Sequence, residues 1–146
     1  MILGIDPGAR RVGIAVADLE TRFARPLEVV DRTSTDVLER VPALVAELEV
    51  TVVVVGRPVG LSGRAGPAVT AYAELVEALR ARLPIPVEEF DERFTTTIAD
   101  QGLKAAGGNR SARDSLRDAV AAQVMLQGYL DATRTAALDP ESGSWP

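Results

Sequence analysis

Cysteine and histidine are both missing from the 146 residues. Their absence excludes disulfides, thiolate nucleophiles, Cys/His zinc sites and any His-dependent triad, so chemistry is left to carboxylates, hydroxyls, Lys and Arg. Long apolar runs are missing too. The aliphatic stretch Val52–Val55 is far short of the roughly 20 residues that span a bilayer, and no basic-then-apolar leader opens the chain. The expected location is the cytoplasm, with no membrane partner. Aromatic residues are few, and the single Trp145 sits in the tail, a poor platform for stacking bases. A positive excess is lacking as well: the net charge is −5, which at first speaks against a nucleic-acid partner. Its distribution changes that reading. Lys104, Arg110, Arg113 and Arg117 face a single acid, Asp114, while acids gather in 36–49 and 74–92. Such a basic stretch is compatible with a phosphate-binding face, although taken alone a solvated helix face is the simpler account of it.

With 47% hydrophobic residues, the chain holds enough for one core and too little for two lobes. Short β-branched or aliphatic runs predict strands at 2–6, 11–17 and 26–32. The connections between them are too short for a crossover, so the three form an antiparallel meander. Next, Val37, Leu38, Val41, Leu44, Val45 and Leu48 recur at helical spacing, with Ser34 or Thr35 as the expected N-cap and Pro42 as a mild objection. The run 51–56 reads as a strand buried on both faces. A helix over about 67–82, a fifth strand over about 86–91 and helices over roughly 95–106 and 112–133 follow. The expected organisation is one domain over 1–134 and a flexible tail over 135–146.

The order β-β-β-α-β-α-β-α makes the first, fourth and fifth strands parallel neighbours, because crossovers are right-handed. Their carboxyl ends then share one edge, where open α/β sheets place ligands. Asp6 ends the first strand and Asp91/Glu92 the fifth, so acids far apart in sequence are expected to converge. The last helix offers a third. Asp114 completes a capping box with Ser111, but Asp118 lies in the row Asp118, Ala121, Ala122, Met125, which would otherwise be an apolar stripe. A carboxylate there needs either a metal or a buried cation such as an arginine. Three clustered carboxylates repel one another, and an oxygen-only donor set selects hard ions, Mg²⁺ or Mn²⁺, usually as a pair.

The segments "GIDPGARRVGIAVAD", "VVVGRPVGLSGRAGP", "EEFDERFTTTIAD" and "RDAVAAQVMLQGYLD" resemble the four signature segments of the YqgF family, also called RuvX, over about residues 2–131. Its members are described as Holliday junction resolvases or pre-16S rRNA nucleases. The resemblance implies an α/β, RNase H-like (RuvC-type) fold: a five-stranded mixed sheet, three antiparallel then two parallel strands, flanked by helices. It also implies a divalent-metal-dependent nuclease with Asp6, the acid of "DER" and Asp118 as catalytic metal ligands. Glu92 is the favoured acid of that pair, with Asp91 as its substitute. Arg10, Arg93, Arg113 and Arg117 are the candidate phosphate contacts. The implied substrates are pre-rRNA, branched DNA or both, within ribosomal precursor particles for the former. A branched-DNA resolvase cuts as a symmetric dimer, so a homodimer is among the expected partners. Arg57 and Gly60 stand where the family more often has Leu and Asn. The alternative function is a nucleic-acid or ribosome-assembly binder that keeps the fold without catalysis.

Overall fold

The computed structural model describes residues 1–58, 66–92 and 110–138. In chain order these form β1 (Ile2–Pro7), β2 (Arg11–Ala17), β3 (Ala24–Asp31), α1 (Val37–Glu47), β4 (Val52–Arg57), α2 (Pro67–Arg82), β5 (Val87–Asp91) and α3 (Arg110–Leu138). One five-stranded sheet runs in the order β3-β2-β1-β4-β5. The first three strands pair antiparallel, while β4 pairs parallel with both β1 and β5. The expected mixed sheet is therefore present, and the carboxyl ends of β1, β4 and β5 lie along one edge. Among the described residues no helix is long and apolar enough to cross a membrane.

Several boundaries differ from expectation. Strand β3 starts at Ala24, two residues early, because its first backbone groups are paired by α3: Gln127 accepts from the Ala24 N–H at 2.9 Å and Gln123 donates to the Ala24 carbonyl at 3.1 Å. The N-cap of α1 is Asp36, whose carboxylate accepts from the Leu38 N–H at 2.9 Å. Ser34 and Thr35 instead close a turn onto the Asp31 carbonyl. Pro42 leaves α1 unbroken. The carbonyl it cannot serve, four residues back at Leu38, accepts a bond from Arg82 of α2 at 3.2 Å, so a neighbouring helix supplies the missing donor. Helix α3 already includes Arg110 and Ser111, which places Ser111 inside the helix rather than at its cap. It also reaches four residues into the expected tail. The helix expected over 95–106 lies outside the described residues.

The two faces of the sheet are built differently, and strict alternation makes them so. One face carries Leu3, Ile5, Val12, Ile14, Val16, Val53 and Val55, which form a large core with α1 and α2. The other carries Ile2, Ala15, Ala17, Ala24 and Val54 against Ala122, Met125, Leu126 and Leu130 of α3. Glycines occupy the closest approaches on this second face. A Cβ on Gly4 would stand 2.9 Å from the Leu126 Cβ, and one on Gly13 would stand 2.0 Å from the Asp118 carbonyl oxygen. Helix α3 therefore sits directly on the strand backbones, with its height set by the absence of side chains beneath it.

Gly13→Ala is accordingly expected to destabilise the protein by about 2–3 kcal/mol or more, since a methyl there cannot be relieved by side-chain movement. Chemical denaturation measures this. A loss within about 0.5 kcal/mol, the range of ordinary surface substitutions, would show that α3 is not seated on Gly13.

Candidate active site

Asp6 closes β1 on the α3 face, two residues beyond Gly4, and its Cα partner on β2 is Gly13. It is half-buried. Glu92 follows the last residue of β5, and alternation along that strand assigns its side. Glu88 bonds the Tyr129 hydroxyl of α3, and the Phe90 ring meets the Tyr129 ring edge-on at 6.0 Å. Glu89 points the other way, toward Arg80 of α2 at 3.7 Å. The α3 face thus carries Glu88, Phe90 and Glu92, while Asp91 takes the face of Glu89. Glycine again makes the room: Glu92 Oε1 lies 2.8 Å from the point where a Gly56 Cβ would be.

In that position Glu92 hydrogen-bonds Asp6. Two carboxyl groups can bond in this way only if one keeps a proton. Glu92 is the holder. Burial, first, and the Asp6 carboxylate beside it, second, push its carboxyl far above the ordinary range, up to about 9. Asp91 adds a further negative neighbour.

Asp118 reaches the same corner from above. Its backbone rests on Gly13, the residue paired with Asp6. Its carboxylate, however, is engaged: Oδ2 lies 3.0 Å from Nε of Arg11. Arg11 opens β2 and, by alternation with Gly13 and Ala15, faces α3. The structure therefore joins Asp6 and Glu92 directly and seats Asp118 over the next strand, held by the cationic partner that a structural account of this acid required. Among the described residues, no three carboxylates gather as a ready-made metal cage.

The remaining candidates are spread around this corner. Arg10 is exposed in the β1–β2 turn. That turn is fixed from the side by Arg32, whose N–H donates to the Arg10 carbonyl and whose Nη1 donates to the Gly8 carbonyl, both at 2.8 Å. Arg117 is exposed on α3, and the backbone of Arg113 lies one turn earlier on the same helix. Arg93 lies outside the described residues. Arg57 alternates onto the α2 face with Val53 and Val55, away from Asp6 and Glu92, and its Nε is buried without a hydrogen-bond partner. Sequence reasoning considered Arg10 and Arg11 together as phosphate contacts and kept Arg10; the contact of Arg11 with Asp118 was not foreseen, although the alternation Arg11, Gly13, Ala15 carried the signal.

These donors fit a hard divalent cation, on one observation: the carboxyl group of Glu92 lies against that of Asp6, over the open floor of Gly56, so two oxygen donors face one corner. A divalent ion is the charge that lets both deprotonate. Asp6 and Glu92 would hold it.

Comparisons with known proteins come from three directions. The family model described as "RuvX: Holliday junction resolvase" matches residues 1–132. A protein of Chloroflexus aggregans named "Putative pre-16S rRNA nuclease" is 42% identical over 134 residues, covering 91% of this chain and 94% of its own. One of the same name from Mycobacterium tuberculosis is 42% identical over 144 residues, covering 97% and 85%. Among solved structures, Thermus thermophilus RuvC in complex with a Holliday junction substrate aligns with a TM-score of 0.53 at 19% identity, covering 91% and 94%. The Fowlpox virus resolvase with Holliday junction DNA aligns at 0.52 and 12%, covering 90% and 97%. At these identities the solved structures speak for the fold alone.

The Glu92 proton has a measurable consequence without any metal. With its folded value raised to about 9 from an ordinary 4.5, the folded state binds a proton that the unfolded chain has lost. Stability therefore falls as pH rises through that window. In EDTA, Glu92→Gln keeps a donor toward Asp6 and is expected to remove most of this slope. At pH 8 it should raise stability by about 1–3 kcal/mol, read as melting temperature against pH. Identical slopes for the two proteins would refute the shared proton.

Proposed function

The chain belongs to the RuvX family of Holliday junction resolvases, and on that footing we propose that it is a divalent-metal-dependent nuclease cutting phosphodiester bonds of structured nucleic acid. The observation that carries the reading is the Asp6–Glu92 pair at the carboxyl edge of the parallel strands, a place where negative charge is already in excess of what protein alone tolerates. Asp6, Glu92 and Asp118 would hold Mg²⁺ or Mn²⁺. When bound, such ions supply a hydroxide nucleophile and stabilise the leaving oxygen.

The chain's own residues do the rest. Asp6 is rigid, because β1 lies in the centre of the sheet between β2 and β4. Glu92 would serve as a ligand in its ionised form, which the ion's charge would favour. Gly56 keeps the floor beneath that carboxyl open. Arg10 on the turn and Arg117 on α3, both exposed, would receive backbone phosphates, with Arg113 and Arg93 as further candidates from the sequence. The high exposure of Arg10 and Arg117 suits contacts that position a strand rather than read its bases.

For the substrate we favour 16S rRNA precursor, in the cytoplasm and on ribosomal precursor particles, because the relatives at about 40% identity carry that name. Branched DNA, with a second copy of the chain, is the other candidate. The expected result with labelled pre-16S rRNA and four-way junctions is Mn²⁺-dependent cleavage, abolished by EDTA. Asp6→Asn, Glu92→Gln and Asp118→Asn should each lower it by about 100-fold or more. RNA binding indifferent to Mn²⁺ and to Asp6→Asn, without cleavage, would replace this reading with that of a non-catalytic assembly factor.

A further inference from the structure

We infer that Arg11 is a positioning residue, an internal counter-cation that holds Asp118 while the site lacks a divalent ion and surrenders it when the ion binds. The inference rests on the proposed metal site and concerns how that site is completed.

Four observations lead to it. First, the backbones on both sides of the pair are fixed. Arg11 is in β2, its carbonyl accepts from the Gly8 N–H at 3.0 Å, and Asp118 is seated on Gly13. Only side-chain torsions are left to move. Second, Arg11 Nε and Asp118 Oδ2 approach to 3.0 Å as a charge contact that is not aligned as a hydrogen bond, and although Oδ2 itself is buried, the two side chains remain 31% and 30% exposed. A pair without hydrogen-bond alignment, on side chains that keep this much solvent, is weak, so a doubly charged ion held by Asp6 and Glu92 can displace it. Third, Asp6 and Asp118 are linked through Gly13, which pairs with the first and supports the second. A carboxylate turned away from Arg11 has the Asp6 corner as its nearest concentration of ligand oxygens. Fourth, Arg11 does not become an isolated charge when it lets go. Asp31, its Cα partner on β3, lies within electrostatic reach and supplies an opposite charge. A guanidinium fork suits phosphate as well as carboxylate.

The arrangement makes one cation stand in for another. Arg11 sets its charge against Asp118 in this fold, and a divalent ion at the Asp6 corner would take its place.

Calorimetric titration of the full-length protein with Mn²⁺ tests this directly. Arg11→Gln removes the competing cation and is expected to bind Mn²⁺ about 3- to 5-fold more tightly than wild type, the size of an exposed ion pair. Arg11→Lys, which keeps a positive charge, should stay near wild type. In an Asp118→Asn background, Arg11→Gln should bring no gain. A folded Arg11→Gln protein with unchanged or weaker affinity overturns the inference, because a purely structural arginine gives that result. A second measurement needs no variant: the Arg11 Nε–H resonance of the wild-type protein should move when Mg²⁺ saturates the site, and a resonance unmoved at saturation overturns the inference equally. If wild-type Mn²⁺ binding survives Asp6→Asn, the metal site itself is wrong and the inference falls with it. If that binding is lost in Asp6→Asn while Arg11→Gln matches wild type, only the role of Arg11 fails.

Discussion

Everything at the candidate site depends on how closely α3 can approach the sheet. Gly4, Gly13, Ala15, Ala17 and Gly56 give the strands almost no side-chain height on that face, whereas the opposite face is filled with Leu, Ile and Val. The asymmetry arises from alternation in β2, where Val12, Ile14 and Val16 face one way and Gly13, Ala15 and Ala17 the other. Close seating delivers Asp118 to the strand beside Asp6. The same lack of side chains over Gly56 opens the space that Glu92 fills. Packing and chemistry are therefore settled by the same few residues, and small ones.

Bringing acids together in this way creates an electrostatic problem, which the fold meets with two separate devices. Glu92, buried beside Asp6, has its carboxyl pushed well above the ordinary range, and a guanidinium is applied to Asp118. Each relieves a negative charge that burial and crowding make costly, one by favouring the neutral form and the other by an opposite charge.

Much of this was legible before any coordinates. Short linkers forced β1, β2 and β3 to run antiparallel, and crossovers placed β4 and β5 beside β1, so the edge carrying Asp6 and the "DER" acids followed from connection lengths alone. The choice between Asp91 and Glu92 was not legible, for a physical reason. Val87 and Phe90 are apolar on opposite faces of β5, because helices cover both sides of the sheet, and the hydrophobic pattern cannot then say which side is which. The cap of α1 was misassigned because Thr33, Ser34, Thr35 and Asp36 are four consecutive residues able to cap, and the path of the chain leaving β3 decides among them. The partner of Asp118 was foreseen in kind, an arginine, but not in identity, since Arg11 and Asp118 are more than a hundred positions apart.

Glycine and alanine beneath a helix have no rotamers to exchange. Ordinary cores absorb a small disturbance by letting side chains flip and refill the gap; where α3 rests on Gly4 and Gly13 the sheet offers only backbone. At the far end of the helix, Arg22 of the β2–β3 hairpin grips the Leu130 carbonyl and the Thr133 hydroxyl at 3.0 and 2.9 Å. The hairpin after β2 and the acidic corner are thus tied to two points of one helix, and neither can be rebuilt without regard to the other.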